Sequence, residues 1–508
     1  MKRSDVALAL FLFIASSVLY IRTLAPSLLF GDSAEFQTIA YTLGIGHPTG
    51  YPVYVLLAKL FTLLPISEIA YRVNLFSAVC AALTVGVVFF MIRKLGATST
   101  AAVYGALALA RIPLFWKYAS IAEVYAPSAA CLALIFLFVL QWKETNQPRW
   151  LFLVGLFGGL SLGIHTTVAL SGVAILLYLA LSTHQRADWL QALLGAFIGL
   201  IVFLSSFLFL DFRNSSAGYY NTVVYPSLSV WGMTNADFDS PFERLGFLYF
   251  PPQFKGQFFS VSDNEIKMRL TDFFEDAGWS RWLALLGLIA LLVPRKVSPA
   301  GWREAILLMV AFSTFLTFAV TYNVFDFSAY YLPAIVILAN FIGMGVNAIL
   351  ELVALIPKTP QFVPAALGIL LVIIGLYPSM DDISSYWKHR TPPALEDWES
   401  YSFAFPDART SQTEQILNGL PDNSIVFTDW DHAYDFYYVA HVLQERSEMD
   451  FHETYPQEGV TQFATSAIAY IEANIDTRPI YFSERLAQLA AHYKITRAGS
   501  ELFRIERK

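Results

Sequence analysis

A chain of 508 residues that is 56% hydrophobic and 16% aromatic but only 14% charged, with a mean hydropathy of +0.51, is too apolar for an ordinary soluble protein. A formal net charge of -7, with no basic face interleaved with aromatics, excludes nucleic acid as a partner class. The composition predicts a polytopic α-helical membrane protein. Cys80 and Cys131 both lie inside apolar runs, so they are read as packing residues without a structural disulfide.

In chain order, Lys2 and Arg3 precede an apolar run over 6–21 that lacks a small-x-small cleavage site before Arg22, which predicts an uncleaved first span. Further spans are expected at 72–92, 98–115, 124–142, 149–166, 168–184, 189–211, 279–294, 302–322, 330–355 and 361–379, making about eleven transmembrane helices with the first at 5–24. Arg93, Lys94, Lys143, Arg149, Arg186, Arg295, Lys296, Arg303 and Lys358 fall in alternating short loops on the side of Lys2 and Arg3. This bias predicts a cytoplasmic N-terminus and an extracytoplasmic C-terminus, in the plasma (inner) membrane if the source is prokaryotic. On the outer side lie a first loop over 25–71, a turn over 116–123 and a long loop over 212–278. Within the first loop, 53–65 is apolar, shorter than a span and interrupted by Lys59, so an interfacial or re-entrant helix is expected. No repeat of fixed period and no low-complexity stretch is visible.

The transmembrane domain is expected to occupy 1–380 and a small soluble α/β domain 381–508, beyond a Thr391-Pro392-Pro393 turn. Strands are predicted at 425–428, 449–453, 479–483 and 501–505, with helices at 431–445 and 461–473.

The chemistry concentrates in the first external loop. Asp32 and Glu35 are three apart and would share a helical face, so they can divide base and ion-binding roles; Asp32 equally suits a cap for a helix starting at Ser33. His47 sits among Gly44, Gly46, Pro48, Gly50 and Pro52, an irregular backbone tolerated near a bilayer where it lines a cavity or packs on protein. Protonated, His47 can bind phosphate; otherwise it can brace the loop. Arg72, beside Tyr71 and Asn74, is either a phosphate ligand or a snorkelling interface residue. Glu123, His165, Arg213 and Asp326 fall at outer helix ends, where a polar ring would suit a phosphate-bearing lipid. There is no Gly-Lys-Ser/Thr loop, Rossmann glycine fingerprint, zinc His-Glu-x-x-His or nucleophile elbow, which disfavours cytosolic nucleotide chemistry.

Gly31-Asp32-Ser33-Ala34-Glu35, then His47-Pro48-Thr49-Gly50-Tyr51-Pro52, then Tyr71-Arg72-Val73-Asn74-Leu75 resemble the N-terminal signature of a multispanning O-mannosyltransferase-like family among the type C glycosyltransferases. That family includes the vertebrate transmembrane O-mannosyltransferase of plexin-type receptors. Ser120-Ile121-Ala122-Glu123-Val124-Tyr125 and the stretch over 159–166 resemble its next two motifs. The similarity is strong to about residue 170. Beyond it, Trp231-Gly232 resembles a Trp-Gly-Asp motif in which Met233 replaces the acid, and the soluble tail has no counterpart.

The resemblance implies a type C fold and transfer of a sugar, with mannose suggested by kinship, from a polyprenyl-phosphate donor on the external face. Protein, glycan and lipid acceptors are all open. Asp32 would be the base of a one-step, inverting displacement and Glu35 its assistant, with His47, Arg72 and Arg213 neutralising the leaving phosphate. Tyr51 of the histidine motif, Glu123, His165 and Asp326 complete the candidate substrate contacts. No metal ligand set is evident, and no cofactor beyond the lipid-linked donor is implied. A transporter or flippase of lipid-linked sugars and a non-catalytic membrane scaffold are the alternative classes.

Overall fold

A computed structural model describes residues 2–183, 185–292, 301–360, 362–376, 380–457, 459–499 and 501–508. Each of the eleven apolar segments contains a helix, from Arg3–Arg22 to Phe362–Leu376. Among the described residues, six helices are long and apolar enough to cross a membrane: Arg3–Arg22, Ile69–Lys94, Tyr125–Thr145, Arg186–Arg213, Trp302–Thr321 and Phe327–Ala354. A seventh is obtained if Ser99–Arg111 and Pro113–Ser120, bent by 64° where Pro113 removes a backbone donor, form one span. The remaining segments hold shorter apolar helices such as Arg149–Ser161 and Ser280–Leu292, so six or seven of the eleven expected crossings are met by length and composition among the described residues. Arg295 and Lys296 of the basic-loop pattern, and the ends of the 279–294 and 361–379 segments, lie outside the described residues.

The chain divides into two compact units, one of Met1–Leu24, Leu75–Phe203 and Gly256–Leu395, the other of Ala25–Asn74, Leu204–Lys255 and Glu396–Lys508. In the first unit, Phe327–Ala354 is the most enclosed span, 83% of its apolar window being buried. Small residues let helix backbones meet there. A Cβ on Gly287 would lie 1.8 Å from the Phe341 carbonyl oxygen, and one on Gly195 would lie 1.9 Å from that of Phe152, so neither position admits a side chain at this separation. The outward faces are bare hydrocarbon. Leu190, Leu193 and Phe197 are each more than 60% exposed along one helix, a surface that only lipid solvates well. This is an integral membrane protein.

In the second unit, the C-terminal residues form a five-stranded mixed sheet of order β2-β1-β3-β5-β4. β1 (Ile425–Thr428) lies between β2 (Asp450–Glu453) and β3 (Ile480–Phe482) and runs parallel to both, while β5 (Leu502–Arg507) pairs antiparallel with β3 and β4 (Tyr493–Ala498). Ile425 and Phe427 from β1 pack with Ile480, Phe482, Ile471 and Ile505 into its core. β4 and the helices Asp397–Ala404 and Ala408–Leu417 were not expected. Their polar faces are half exposed, and they carry no continuous apolar run. The predicted 431–445 helix is an α-helix over Trp430–Tyr437 continued by a π-helix over Tyr438–Leu443. Its N-cap, Asp429, follows directly from the carboxyl end of β1 and accepts from the His432 backbone N–H at 3.0 Å.

His452 in β2 is 4% exposed, with Nδ1 2.9 Å from the Asn221 carbonyl oxygen and Nε2 buried without a hydrogen-bond partner. Burial pushes its pKa down to about 4. A histidine depressed in the folded state contributes no cost above its unfolded pKa of about 6.5, and destabilises the fold as pH falls from there towards 4. That penalty reaches about 3 kcal/mol at full development. Thermal unfolding of His452→Gln should therefore show a shallower loss of stability between pH 6.5 and 4 than the parent. Parallel pH profiles would refute the assignment.

Candidate active site

The loop over 25–71 folds as a helix, Asp32–Thr42, an irregular turn and a second helix, Pro52–Thr62. Gly31 supplies the N-cap at φ 56°, a backbone state that L side chains rarely adopt. Asp32 is the first helical residue and makes no capping bond, which corrects the expectation that its side chain caps a helix starting at Ser33. The loop is tied from below by a buried amide chain. Gln37 accepts from Leu29 N–H at 2.9 Å and donates to Asn74 Oδ1 at 2.9 Å, and Asn74 donates to the Ala25 carbonyl at 2.9 Å. That accounts for Asn74 in the Tyr-Arg-Val-Asn-Leu motif.

Glu35 is completely buried and fully engaged. Its Oε2 meets His47 Nδ1 in a short ion pair, while its Oε1 accepts from the His47 backbone N–H at 2.8 Å and from the Tyr434 hydroxyl at 3.1 Å. Burial raises the Glu35 pKa; the His47 charge and hydrogen bonds oppose that rise. Tyr51, buried and itself at φ 49°, donates its hydroxyl to the Pro48 carbonyl at 2.8 Å and lies 3.0 Å from His47 Nε2. The turn between them closes through Gly50, whose N–H reaches the His47 carbonyl at 2.6 Å with φ 83°. Phe36 packs edge-on against Tyr51 and Tyr54 beneath this ring.

Asp32 differs from Glu35 in every respect that matters to a reactant. Its side chain is 40% exposed, its Oδ2 faces His47 Nε2 at 3.7 Å, and its Oδ1 accepts from the Trp430 indole N–H at 3.0 Å. One carboxylate is therefore a structural anchor and the other is open to solvent. Asp32, Glu35 and His47 also place one ligand atom each within 4.8 Å of one another, the spacing a divalent cation would need.

The other predicted residues divide between the two units. Arg72 donates Nε to the Ile66 carbonyl at 2.6 Å, Nη1 to that of Thr62 at 2.8 Å and Nη2 to that of Ser67 at 2.7 Å. Its fork braces the 62–67 turn, a use that neither the phosphate nor the snorkelling expectation anticipated. Arg213 ends the helix Arg186–Arg213 and is exposed. It acts electrostatically on Lys59, whose pKa burial and this like charge lower. Lys59 was seen in the sequence only as an interruption of an apolar run. In the first unit, Tyr125 donates to Asp326 Oδ2 at 2.9 Å, His165 Nδ1 lies 2.6 Å from Thr167 Oγ1, and the rings of Tyr125, His165 and Tyr330 sit 5.3–5.7 Å apart. Glu123, buried, bonds Ser77 through its backbone. Trp430 and Tyr434 were missed: nothing local in 425–445 signals that its aromatics meet a loop some 400 residues earlier.

Comparison with known proteins bears on the same stretch. Residues 32–189 match the family model described as the protein O-mannosyl-transferase TMEM260 N-terminal domain. The N-terminal part of the chain is similar to TMEM260. The protein O-mannosyl-transferase TMEM260 of Mus musculus is 29% identical over 153 residues, 30% of this chain and 22% of the relative. Its namesake in Dictyostelium discoideum is 24% identical over 138 residues, 27% of this chain and 17% of the relative. The matched region thus spans about a fifth of the length of these TMEM260 proteins. The resemblance read from the motifs around Asp32 and His47 holds. Over the whole chain, the fold is that of ArnT from Cupriavidus metallidurans, crystallised bound to undecaprenyl phosphate: TM-score 0.60 at 15% identity, covering 98% of this chain and 97% of that one. Its apo state gives 0.59.

The two carboxylates should separate in stability measurements. Glu35→Ala strands a half-buried His47 and removes three hydrogen bonds, and should cost about 3 kcal/mol. Asp32→Asn, at a half-exposed position, should cost less than about 1 kcal/mol. Equal thermal shifts of the two variants in detergent would contradict the division of roles.

Proposed function

We propose that this protein is a membrane glycosyltransferase that moves a sugar from a polyprenyl-phosphate carrier to an acceptor hydroxyl on the external face of the membrane, with Asp32 as general base. The observation that carries this reading is the state of Asp32: a carboxylate oriented by one hydrogen bond, open to solvent, and set beside a buried ion pair that holds its loop. The TMEM260-like N-terminal part and the ArnT fold support it.

In the step envisaged, the acceptor O–H gives its proton to Asp32, the acceptor oxygen forms the new bond to the anomeric carbon, and the carbon–oxygen bond to phosphate breaks. The phosphate keeps the electron pair. Displacement in one step inverts the anomeric configuration. His47 is placed to stabilise charge around Asp32, and Glu35 acts through His47. Lys59, which donates to the Tyr41 carbonyl at 2.6 Å, and Arg213, whose charge acts on it, are assigned to the lipid phosphate, with Arg72 holding the 62–67 turn that follows the second loop helix. Tyr51 shapes the mouth through His47. A divalent ion held by Asp32, Glu35 and His47 would supply Lewis-acid stabilisation of the phosphate.

The sugar is proposed to be mannose, after the TMEM260 relatives, and the acceptor a protein, glycan or lipid. The domain division at about 380, the cytoplasmic N-terminus and the extracytoplasmic C-terminus belong to the same proposal, with the plasma (inner) membrane as location in a prokaryote.

Mass spectrometry of glycoproteins and membrane glycans should reveal a sugar in cells expressing the intact protein that is missing with Asp32→Asn at matched expression. An identical profile, together with movement of unmodified lipid-linked sugar across vesicles, would replace the transferase with a transporter. Lys59→Ala and Arg213→Ala should each raise the donor KM about tenfold. Unchanged donor kinetics would remove both residues from the phosphate site.

A further inference from the structure

Trp430 and Tyr434 lie one helical turn apart on Trp430–Tyr437, and Asp32 and Glu35 lie one turn apart on Asp32–Thr42. The pairs match: the Trp430 indole donates to Asp32 Oδ1 at 3.0 Å and the Tyr434 hydroxyl to Glu35 Oε1 at 3.1 Å. A further contact joins the same two helices: Thr38 Oγ1 reaches the Tyr434 carbonyl at 3.4 Å. Just beyond them, the Tyr438 hydroxyl accepts from Ala70 N–H, on the helix Ile69–Lys94, at 2.9 Å. Arg409, paired with the buried Asp435, lies 4.2 Å over the ring of Phe30, two residues before Asp32.

We infer that the C-terminal region is a working part of the catalytic site and that Trp430 is the positioning residue of Asp32. This rests on the transferase reading above. An indole N–H donates and cannot accept, so it occupies one carboxylate oxygen without competing for the acceptor proton. With Oδ1 held, Asp32 presents Oδ2 on the side of His47. The Trp430 ring is itself fixed edge-on by Tyr434 at 5.1 Å, by His47 at 6.0 Å and by Tyr219 at 6.0 Å. Its rotamer is thus set by the ring of residues that surrounds the base. A group that must meet a hydroxyl within a few tenths of an ångström gains rate from such restraint and gains no substrate affinity. Loss of the N–H should accordingly lower kcat and leave KM alone.

Two measurements on the full-length protein in nanodiscs test this. The first is the 15N–1H indole resonance of Trp430, assigned by its disappearance in Trp430→Phe. It should move in Asp32→Asn; an unmoved resonance overturns the contact. The second is transfer from undecaprenyl-phosphate mannose to the acceptor fraction that the glycan comparison identifies. Trp430→Phe, and 3-benzothienylalanine placed at position 430 to keep the bicyclic shape without the N–H, should each lower kcat about tenfold with donor KM within about twofold. Wild-type kcat in the benzothienyl protein alongside an inactive Asp32→Asn overturns the role of Trp430 and leaves the transferase reading standing. Full activity in Asp32→Asn, or no transfer by the intact protein, removes that reading and this inference together.

Discussion

A carboxylate with no exposed surface is stable only if its charge is answered on the spot, and Glu35 is answered by one histidine side chain, one backbone N–H and one tyrosine. The shape of the loop over 25–71 follows that requirement. His47 returns to within bonding distance of a residue twelve positions earlier through the segment after the helix Asp32–Thr42, whose C-cap Leu43 sits at φ 58°. The turn after His47 is held by Gly50 at positive φ and by the Tyr51 hydroxyl on the Pro48 carbonyl. A charge-paired backbone of this kind lets a half-exposed neighbour such as Asp32 keep one orientation.

The same constraint separates two residues that look equivalent on paper. Asp32 and Glu35 are both acidic and share a helical face, but three residues of spacing turn one towards the interior and leave the other at the rim. The buried member holds His47, and the rim member keeps an oxygen open to solvent. Arg72 shows the reverse case, a residue of phosphate-binding chemistry three of whose N–H donors are engaged by the carbonyls of Thr62, Ile66 and Ser67. Which chemistry a side chain performs is decided by what has already claimed its hydrogen bonds.

The C-terminal sheet presents its first parallel strand so that the following helix starts beside Asp32. Loops and helix starts at the carboxyl ends of parallel strands are where α/β units hold ligands, because the backbone opens there and helix N-termini point outward. In this chain that edge carries Trp430 and Tyr434, aromatic residues with a polar tip that can reach a carboxylate from an apolar packing position. The α/β tail thus has the means to orient a carboxylate carried elsewhere in the sequence.

Much was legible without coordinates, for local physical reasons. Apolar runs located all eleven helical segments, and alternation located four of the five strands. β4 escaped because its inward and outward residues, Tyr493 to Ala498, do not alternate cleanly. Span count was less secure: helices of 12 or 13 residues are as apolar as the long ones and differ only in where a turn interrupts them. The motifs around Asp32 and His47 were visible because glycine, proline and charge in one short run cannot be explained by packing into lipid. By itself, the sequence determined the class of protein, the apolar segments and the motifs of the TMEM260-like stretch, since those depend on neighbours along the chain. Only the tertiary structure decided that Glu35 is an anchor, that Arg72 is a brace and that Trp430 meets Asp32. Those facts depend on which side chains are brought together across about 400 residues, and no local pattern encodes that pairing.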